Sequence, residues 1–486
     1  MDEPLELERL ETIETAFAVI HRSPTEVFKR RKPVRLRVGA DCIDLVPIGH
    51  RRMACEAEHL RNRELSPDVG RGVVPVTSDA RGMLHLGGQG SPVDWALRMK
   101  RLPDRHRAQV RLSEGALDDK TLRRVATRIA RFHERARGGT AAQTTDSPLA
   151  ALDRLIDISI SLDDGCTMPP LPTAAGRAEQ WQHELRVTRE SRFLARARTD
   201  SIRVGHGVLA LDHVFVDDAG DVRILAGLEV VPELRNADVA ADVALLAADL
   251  AGQHRVDLAE RFVAEYARLA NDFDLYPLLD FYTSLRASLR AKGDWAAAAL
   301  VPSGAERYRQ RAQHFLELAT AIPRRSLLPP VVVAVGGQVA SGKSTVALEI
   351  ARRIGAPIVG ADPTRDYLLG ARLNEDLHEV RWAGSYAADF PARVYAEVLR
   401  RAGEVLVSGR PVVIDGCFRS MDQRLGARSL ADRFDLPFLF VETTVCRAAQ
   451  TARLEERARR DAVSLADWQS IADQLRSQWQ PVAGLA

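Results

Sequence analysis

The sequence predicts two folds in one chain: α+β in the N-terminal part, and α/β with a doubly wound parallel sheet in the C-terminal part. Three stretches carry that expectation. Residues 323–330, PRRSLLPP, hold three prolines and two arginines, and separate the helical-looking AERYRQRAQHFLELATAI from the β-branched run VVVAV. Such a run has the composition of a parallel strand buried on both faces, and a glycine-rich loop and a helical pattern follow it. Upstream, the chain to about residue 98 reads as strands and turns, with one helix around 51–65. Beyond that it reads as mostly helical: in KTLRRVATRIARFHERA the residues Leu122, Val125, Ile129 and Phe132 share one face. The segment AAQTTDSP, 141–148, reads as a loop. The expected domains are residues 1–326 and 327–486.

Composition narrows the class. A chain of 486 residues is too long for one compact core. Its 46% hydrophobic and 28% charged residues are those of an ordinary globular protein. The net charge of +2 gives no general attraction to nucleic acid or anionic lipid. The N-terminus, MDEPLELERL, is acidic and lacks the pattern of a secretory signal, and no apolar run approaches the roughly 20 residues that span a bilayer. Cys42, Cys55, Cys166, Cys417 and Cys446 lie far apart and form no CxxC pair, so they read as reduced thiols of a cytoplasmic protein. Nearly all basic residues are arginine. The lysines are Lys29, Lys32, Lys100, Lys120, Lys292 and Lys343, so a lysine at a chemically demanding place carries information.

One of them stands in such a place. VVVAVGGQVASGKSTVALEI meets G-x-x-x-x-G-K-[ST] with Gly337, Gly342, Lys343 and Ser344, in the strand–loop–helix order a phosphate-binding loop requires. The candidate nucleotide-binding loop is Gly337, Gln338, Val339, Ala340, Ser341, Gly342, Lys343, Ser344 and Thr345. Its backbone N–H groups and the positive end of the next helix favour a phosphate. Lys343 would neutralise the β- and γ-phosphates, and Ser344 would ligate Mg²⁺. With scarce lysine, the pattern arises by chance in roughly three of a thousand such chains.

The following strands supply carboxylates. APIVGADPTRDYLL reads as a second strand ending in Asp362, with Arg365 three residues on. PVVIDGCF reads as a third strand ending in Asp415, the carboxylate expected near magnesium, and FLFVETT as a fourth. The arginine-rich helix CRAAQTARLEERARR then puts Arg453 and Arg457 four apart on one face. Arginines closing over a transferring phosphoryl group would stabilise its spread charge. The plainer alternatives are a helix N-cap for Asp362 and a solvated face for the arginines. The N-K-x-D element that reads guanosine is absent, so ATP is the expected donor.

These last 160 or so residues resemble the small P-loop kinases of the gluconate kinase, chloramphenicol phosphotransferase, polynucleotide 5′-kinase and zeta toxin type. The resemblance implies a base at Asp362 and acceptor binding by Arg365. The residues alone leave the base open between Asp362 and Asp415.

The first 320 or so residues resemble the aminoglycoside phosphotransferase-like family, in its branch fused to a C-terminal P-loop kinase. The stretches that match are VFKRRKPV, RRMACEAEHLRNRELSPDVGRGVVPV, DWALRMKRLP, RIARFHERA, HGVLALDHVFVDDAGDVRIL, RNADVAADVALLAADL and DFYTSLRASLRAKG. The resemblance implies a protein-kinase-like two-lobe domain in which Lys29 pairs with nucleotide phosphates and Glu58 is its helix partner. Read without it, KRRK is a solvated basic turn.

The catalytic positions depart from that family. Where its members read H-G-D-L-H-x-x-N, this chain has His206, Gly207, Val208, Leu209, Ala210, Leu211, Asp212 and His213, and Ala226 stands where a second metal-binding Asp should. Valine cannot take a proton and alanine cannot hold magnesium. A slipped register, with Asp212 as base and Asp217 as metal ligand, would leave Ala226 unrepaired. The expectation is a degenerate, pseudokinase-like domain in front of an ATP- and Mg²⁺-dependent small-molecule kinase. Nucleic acid is not an expected partner. The alternatives are two active phosphotransferase sites, a nucleic-acid 5′-kinase, or an ATP-gated module without an acceptor.

Overall fold

The computed structural model describes residues 5–38, 41–88, 90–136, 138, 148–160, 174–199, 201–226, 235–321, 329–370, 390–461 and 464–482. The chain divides into two compact units. One comprises residues 1–255 and 281–322, the other residues 256–280 and 323–486. The sequence suggested a single cut near Leu327, which itself lies outside the described residues, as does most of the expected loop 141–148. The difference is the segment 256–280, which groups with the C-terminal unit.

The first unit opens with an antiparallel sheet of β1 (Leu5–Glu6), β2 (Glu11–Glu14), β3 (Ala18–Arg22), β4 (Glu26–Arg31), β5 (Gly70–Ser78), β6 (Leu84–Leu86) and β7 (Pro92–Lys100). They lie in the order β1-β6-β5-β7-β4-β3-β2. Helix α1 (Ile48–Leu65) packs on this sheet. Its Cys55 joins Val69, Leu97 and Met99 in one buried cluster. Helix α2 (Asp119–Arg135) begins where Asp118 accepts the N–H of Thr121, as N-cap aspartates do. It buries Leu122, Val125 and Ile129 as the periodicity predicted, but His133 in place of Phe132. Helix α3 (Val239–Gly252) is buried along its whole length. The hairpin β8 (Val214–Val216) and β9 (Val222–Ile224) follows the HGVLALDH stretch. Among the described residues no helix is long and apolar enough to cross a membrane.

The second unit is built on β10 (Val332–Gly337), β11 (Ile358–Gly360), β12 (Val412–Asp415) and β13 (Phe438–Thr443), all parallel, in the order β11-β12-β10-β13. Every residue of β10 is buried, which is why it reads as an unbroken apolar run. Helix α4 (Val256–Ala270), from the earlier segment, belongs to this unit. Its buried Glu260 accepts from Arg410 at 2.7 and 3.1 Å, and Arg410 also donates to Asp280 at 2.9 Å. Burial disfavours the Arg410 charge, but the two carboxylates outweigh it and hold its pKa above the usual value. After β10 come α5 (Lys343–Ile354), α6 (Ala361–Leu368), α7 (Phe390–Val407), α8 (Met421–Arg433), α9 (Arg447–Asp461) and α10 (Leu465–Ser477).

Candidate phosphate-binding site

The loop between β10 and α5 is shaped by residues that only small side chains permit. A Cβ on Gly336 would stand 2.5 Å from Phe440, and one on Gly337 2.4 Å from the Thr443 carbonyl oxygen. Two glycines thus let the loop run against β13. Gly337 (φ 145°), Ala340 (φ 60°) and Gly342 (φ 96°) turn the chain over, and Gly342 is the N-cap of α5. Helix and loop therefore present backbone N–H groups to one concave spot, with the helix dipole behind them. Lys343 Nζ donates to the Gln338 carbonyl at 2.9 Å.

Helices α9 and α10 hold the loop from outside. Gln450 Nε2 donates to the Val339 carbonyl at 2.7 Å, and Arg453 to the Ala340 carbonyl at 3.0 Å. Arg476 fixes Gln450 Oε1 at 2.7 Å, and the Arg457 guanidinium stacks 4.8 Å from the Trp468 ring. Arg453 thus reaches the phosphate loop while remaining exposed, and Arg457 lies against Trp468 of α10.

Asp362 is neither the end of a strand nor a helix cap. Strand β11 stops at Gly360, which caps α6, and Asp362 falls in the first turn of that helix. Pro363 suits such a turn, since no intrahelical partner is lost there. The Asp362 side chain is 69% exposed and pairs with Arg365 at 2.7 Å. Desolvation by the surrounding protein raises its pKa, but Arg365, then Lys343 and Arg457, outweigh it and hold the carboxyl below the usual range. The register that pairs Asp415 with both Val335 and Gly360 brings the start of α6 and the phosphate loop to one edge of the sheet.

Asp415 behaves oppositely. Burial pushes its carboxyl up, helped by the nearby Asp362 charge and opposed by the neighbouring Ser344 and Lys343. Its Oδ1 is buried without a hydrogen-bond partner. A buried carboxylate oxygen without a donor, beside a serine hydroxyl at the phosphate loop, is the donor set a hard divalent cation takes. The residues present fit magnesium.

Four residues at this site carry no signal in the sequence. Cys417, which reads there as an ordinary reduced thiol, sits close enough to Lys343, Asp362, Arg365 and Asp415 to feel all four charges, and burial pushes its thiol up. Tyr395 of α7 accepts the Phe418 N–H at 2.7 Å, where Phe418 takes a left-handed φ of 50°. Thr443 Oγ1 bonds Ser341 Oγ at 2.7 Å, a contact that depends on the parallel register pairing Gly337 with Thr443. Gln450 is the fourth.

In the first unit, Lys29 lies on β4 and not in a solvated turn. Its Nζ donates to Glu58 of α1 at 2.8 Å, and the buried Arg31 grips the same carboxylate. The loop at 206–213 is firmly held. Asp242 accepts the N–H groups of His206 and Gly207, the latter at 2.8 Å, and Asp249 accepts that of Leu211 at 2.8 Å. A Cβ on Gly205 would meet the Asp242 carboxylate at 2.5 Å. The backbone around Val208 is thus fixed from both sides by two buried aspartates. The Ala226 N–H donates to Asn62 Oδ1 at 2.8 Å. Asp212 lies 3.6 Å from Arg290 and 4.0 Å from Arg107, while Asp217 pairs with Arg223 at 2.8 Å and caps its own turn through the Asp221 N–H.

His213 donates from Nδ1 to the Val208 carbonyl at 2.6 Å. Burial first, then the neighbouring His206, push its pKa down to about 3. Between that value and the unfolded one near 6.5, the unfolded chain binds the extra proton. Stability from this group is therefore full above about pH 6.5 and falls as pH drops towards 3, by up to about 1.4 kcal/mol per pH unit. His213→Gln is expected to flatten the acid limb of the denaturant midpoint between pH 6.5 and 4.5. An unchanged slope would assign that limb to another group.

A P-loop ahead of a parallel sheet, with carboxylates at its rim and an arginine-bearing helix against it, defines the class: a P-loop kinase-like domain, here fused behind an α+β part. Residues 332–481 match the AAA domain family. Over 430 residues, 88% of this chain and 82% of the other, the chain is 29% identical to an uncharacterized protein of Mycobacterium tuberculosis, so the match spans both parts of the fusion. A stretch of 116 residues, 23% of this chain and 36% of the other, is 31% identical to the 2-phosphoglycerate kinase of Methanocaldococcus jannaschii. Among solved structures, the ethanolamine kinase of Plasmodium vivax aligns with a TM-score of 0.38 at 9% identity, over 66% of this chain and 83% of that one.

Proposed function

We propose that the C-terminal unit transfers the γ-phosphoryl group of ATP to a hydroxyl of a small molecule. The observation that carries this reading is the parallel register, which pairs Asp415 both with Val335, just before the phosphate loop of Lys343 and Ser344, and with Gly360, just before Asp362 and Arg365, so that all five share one sheet edge. Lys343 and the loop N–H groups would hold the β- and γ-phosphates, and Ser344 and Asp415 would hold Mg²⁺. When bound, that ion neutralises phosphate charge and fixes the phosphate chain. Asp362, ionised at neutral pH, would accept the proton of the acceptor hydroxyl, and Arg365 would orient the acceptor. Arg453 and Arg457 would meet charge developing on the transferred group. The kinase named among the relatives and the two arginines near Asp362, Arg365 and Arg457, favour an anionic acceptor, and the near-zero net charge favours a small molecule over nucleic acid. Cysteines spaced without pairs support a cytoplasmic setting. The test is acceptor-dependent ADP formation across 2-phosphoglycerate, sugars, nucleosides and aminoglycosides. ATP binding without any acceptor-dependent turnover would favour a nucleotide-gated module.

We read the first unit as a pseudokinase. Val208 and Ala226 stand where the proton acceptor and a metal ligand would be required, while Asp242 and Asp249 keep the loop's shape. Lys29→Ala should accordingly leave full-length turnover within about twofold, because the ion pair it breaks lies outside the reacting site. Residual transfer in a Lys343→Ala protein that Asp212→Ala then abolishes would establish a second active kinase.

A further inference from the structure

The helix that carries Asp362 and Arg365 has little to hold it. α6 is two turns long, and among its residues Ala361 and Thr364 are the buried ones. The only polar atom Thr364 offers to the interior, its Oγ1, accepts from Arg401 Nη1 at 3.3 Å. Arg401, on α7, is 2% exposed. The same nitrogen also donates to Asn271 Oδ1 at 3.3 Å, and Nε donates to Glu397 at 2.8 Å. Its guanidinium plane lies 4.5 Å from the Tyr367 ring of α6 and 5.6 Å from that of Phe273. One buried cation thus touches α6 twice, its own helix once, and the end of the 256–280 segment twice.

We infer that Arg401 is a positioning residue for the catalytic pair, clamping α6 against Asn271 and Phe273 of the segment 256–280. It rests on the roles proposed above for Asp362 and Arg365. A guanidinium is planar, stays charged when buried, and presents several donors in fixed directions, so it can fix the pose of a neighbouring helix as an ammonium could not. Asn271 is itself set for this contact: it takes a left-handed φ of 52°, which asparagine tolerates better than most residues and which turns the chain at the end of α4. The earlier part of the chain therefore supplies one jaw of the clamp behind the acceptor side of the phosphate-loop unit. A P-loop domain cut free at 327 would lack it.

The test uses full-length protein with two substitutions that spare Arg401. Thr364→Val removes the accepting oxygen at near-constant shape. Asn271→Gly removes the other acceptor while keeping a residue that accepts the left-handed backbone. Amide hydrogen exchange, read by mass spectrometry, should show peptides covering α6 exchanging about tenfold faster in each variant, the scale of one hydrogen bond from a charged donor. Peptides covering α5 should keep their wild-type rates, and the Kd for ATP should stay within about twofold. Unchanged α6 exchange in either folded variant would overturn the clamp, and so would parallel acceleration of α5 and α6, the mark of a general loosening. Should Thr364→Val fail to fold, Asn271→Gly decides alone. The readout is independent of the proton acceptor: an Asp362→Asn protein with normal transfer would remove the base assignment and leave the clamp standing.

Discussion

Lys343→Ala is expected to give a folded protein that binds ATP weakly and turns it over at least ~10²-fold more slowly, the usual cost of removing one preorganised charge-stabilising donor. Lys343 is the only lysine in the stretches 256–280 and 323–486, so no second ammonium can take its place. The fold should survive. Lys343 contributes one hydrogen bond to the Gln338 carbonyl, whereas the loop keeps the Gly337 N–H to Cys417 carbonyl bond, the Ser341–Thr443 contact and the Gln450 clip. The measurement is ATP titration alongside ADP release. Wild-type rates would remove the C-terminal unit as the engine.

Asp362→Asn should leave ATP affinity within about twofold and lower acceptor phosphorylation by ~10² to 10⁴, the range a positioned general base contributes. The two effects separate because Asp362 lies on α6, while the residues proposed to hold the phosphates lie on the loop and α5. The low pKa has its own signature. A carboxyl held below the usual range by Arg365, Lys343 and Arg457 is already ionised at neutral pH, so the acid limb of the turnover profile should fall below the ordinary carboxylate pKa. Arg365→Gln removes the first of those cations and should move that limb up. Unchanged turnover in Asp362→Asn would shift the base to Asp415, whose carboxyl is raised by burial.

What was legible in the sequence is what sequence proximity fixes. The phosphate loop is a contiguous pattern whose glycines, lysine and serine must be neighbours in the chain, and it stands where the motif placed it. Asp415 was legible as the last residue of a short buried strand. Asp362 reads in the sequence as a strand end but lies in the first turn of a helix, although a proline in the next position is itself a first-turn signal. Cys417, Tyr395 and Thr443 reach the site only through strand register and helix packing, which one sequence does not encode locally. The place of the segment 256–280 in the second unit is not legible locally, because the guanidinium that satisfies its buried Glu260 comes 150 residues later.

That separation in sequence sets an order of events during synthesis. The chain visits the second unit, returns to the first, and only then completes the second. At roughly 5–20 residues per second on the ribosome, Glu260 emerges about 8–30 s ahead of Arg410, 150 residues later. Through that interval α4 has its apolar face of Leu258, Phe262, Val263 and Tyr266, and one uncompensated carboxylate, without the P-loop sheet. The nascent chain therefore holds a sticky helix in waiting, a natural place for a chaperone to act, and a single proteolytic nick near residue 323 leaves the first unit on one fragment but divides the second between two.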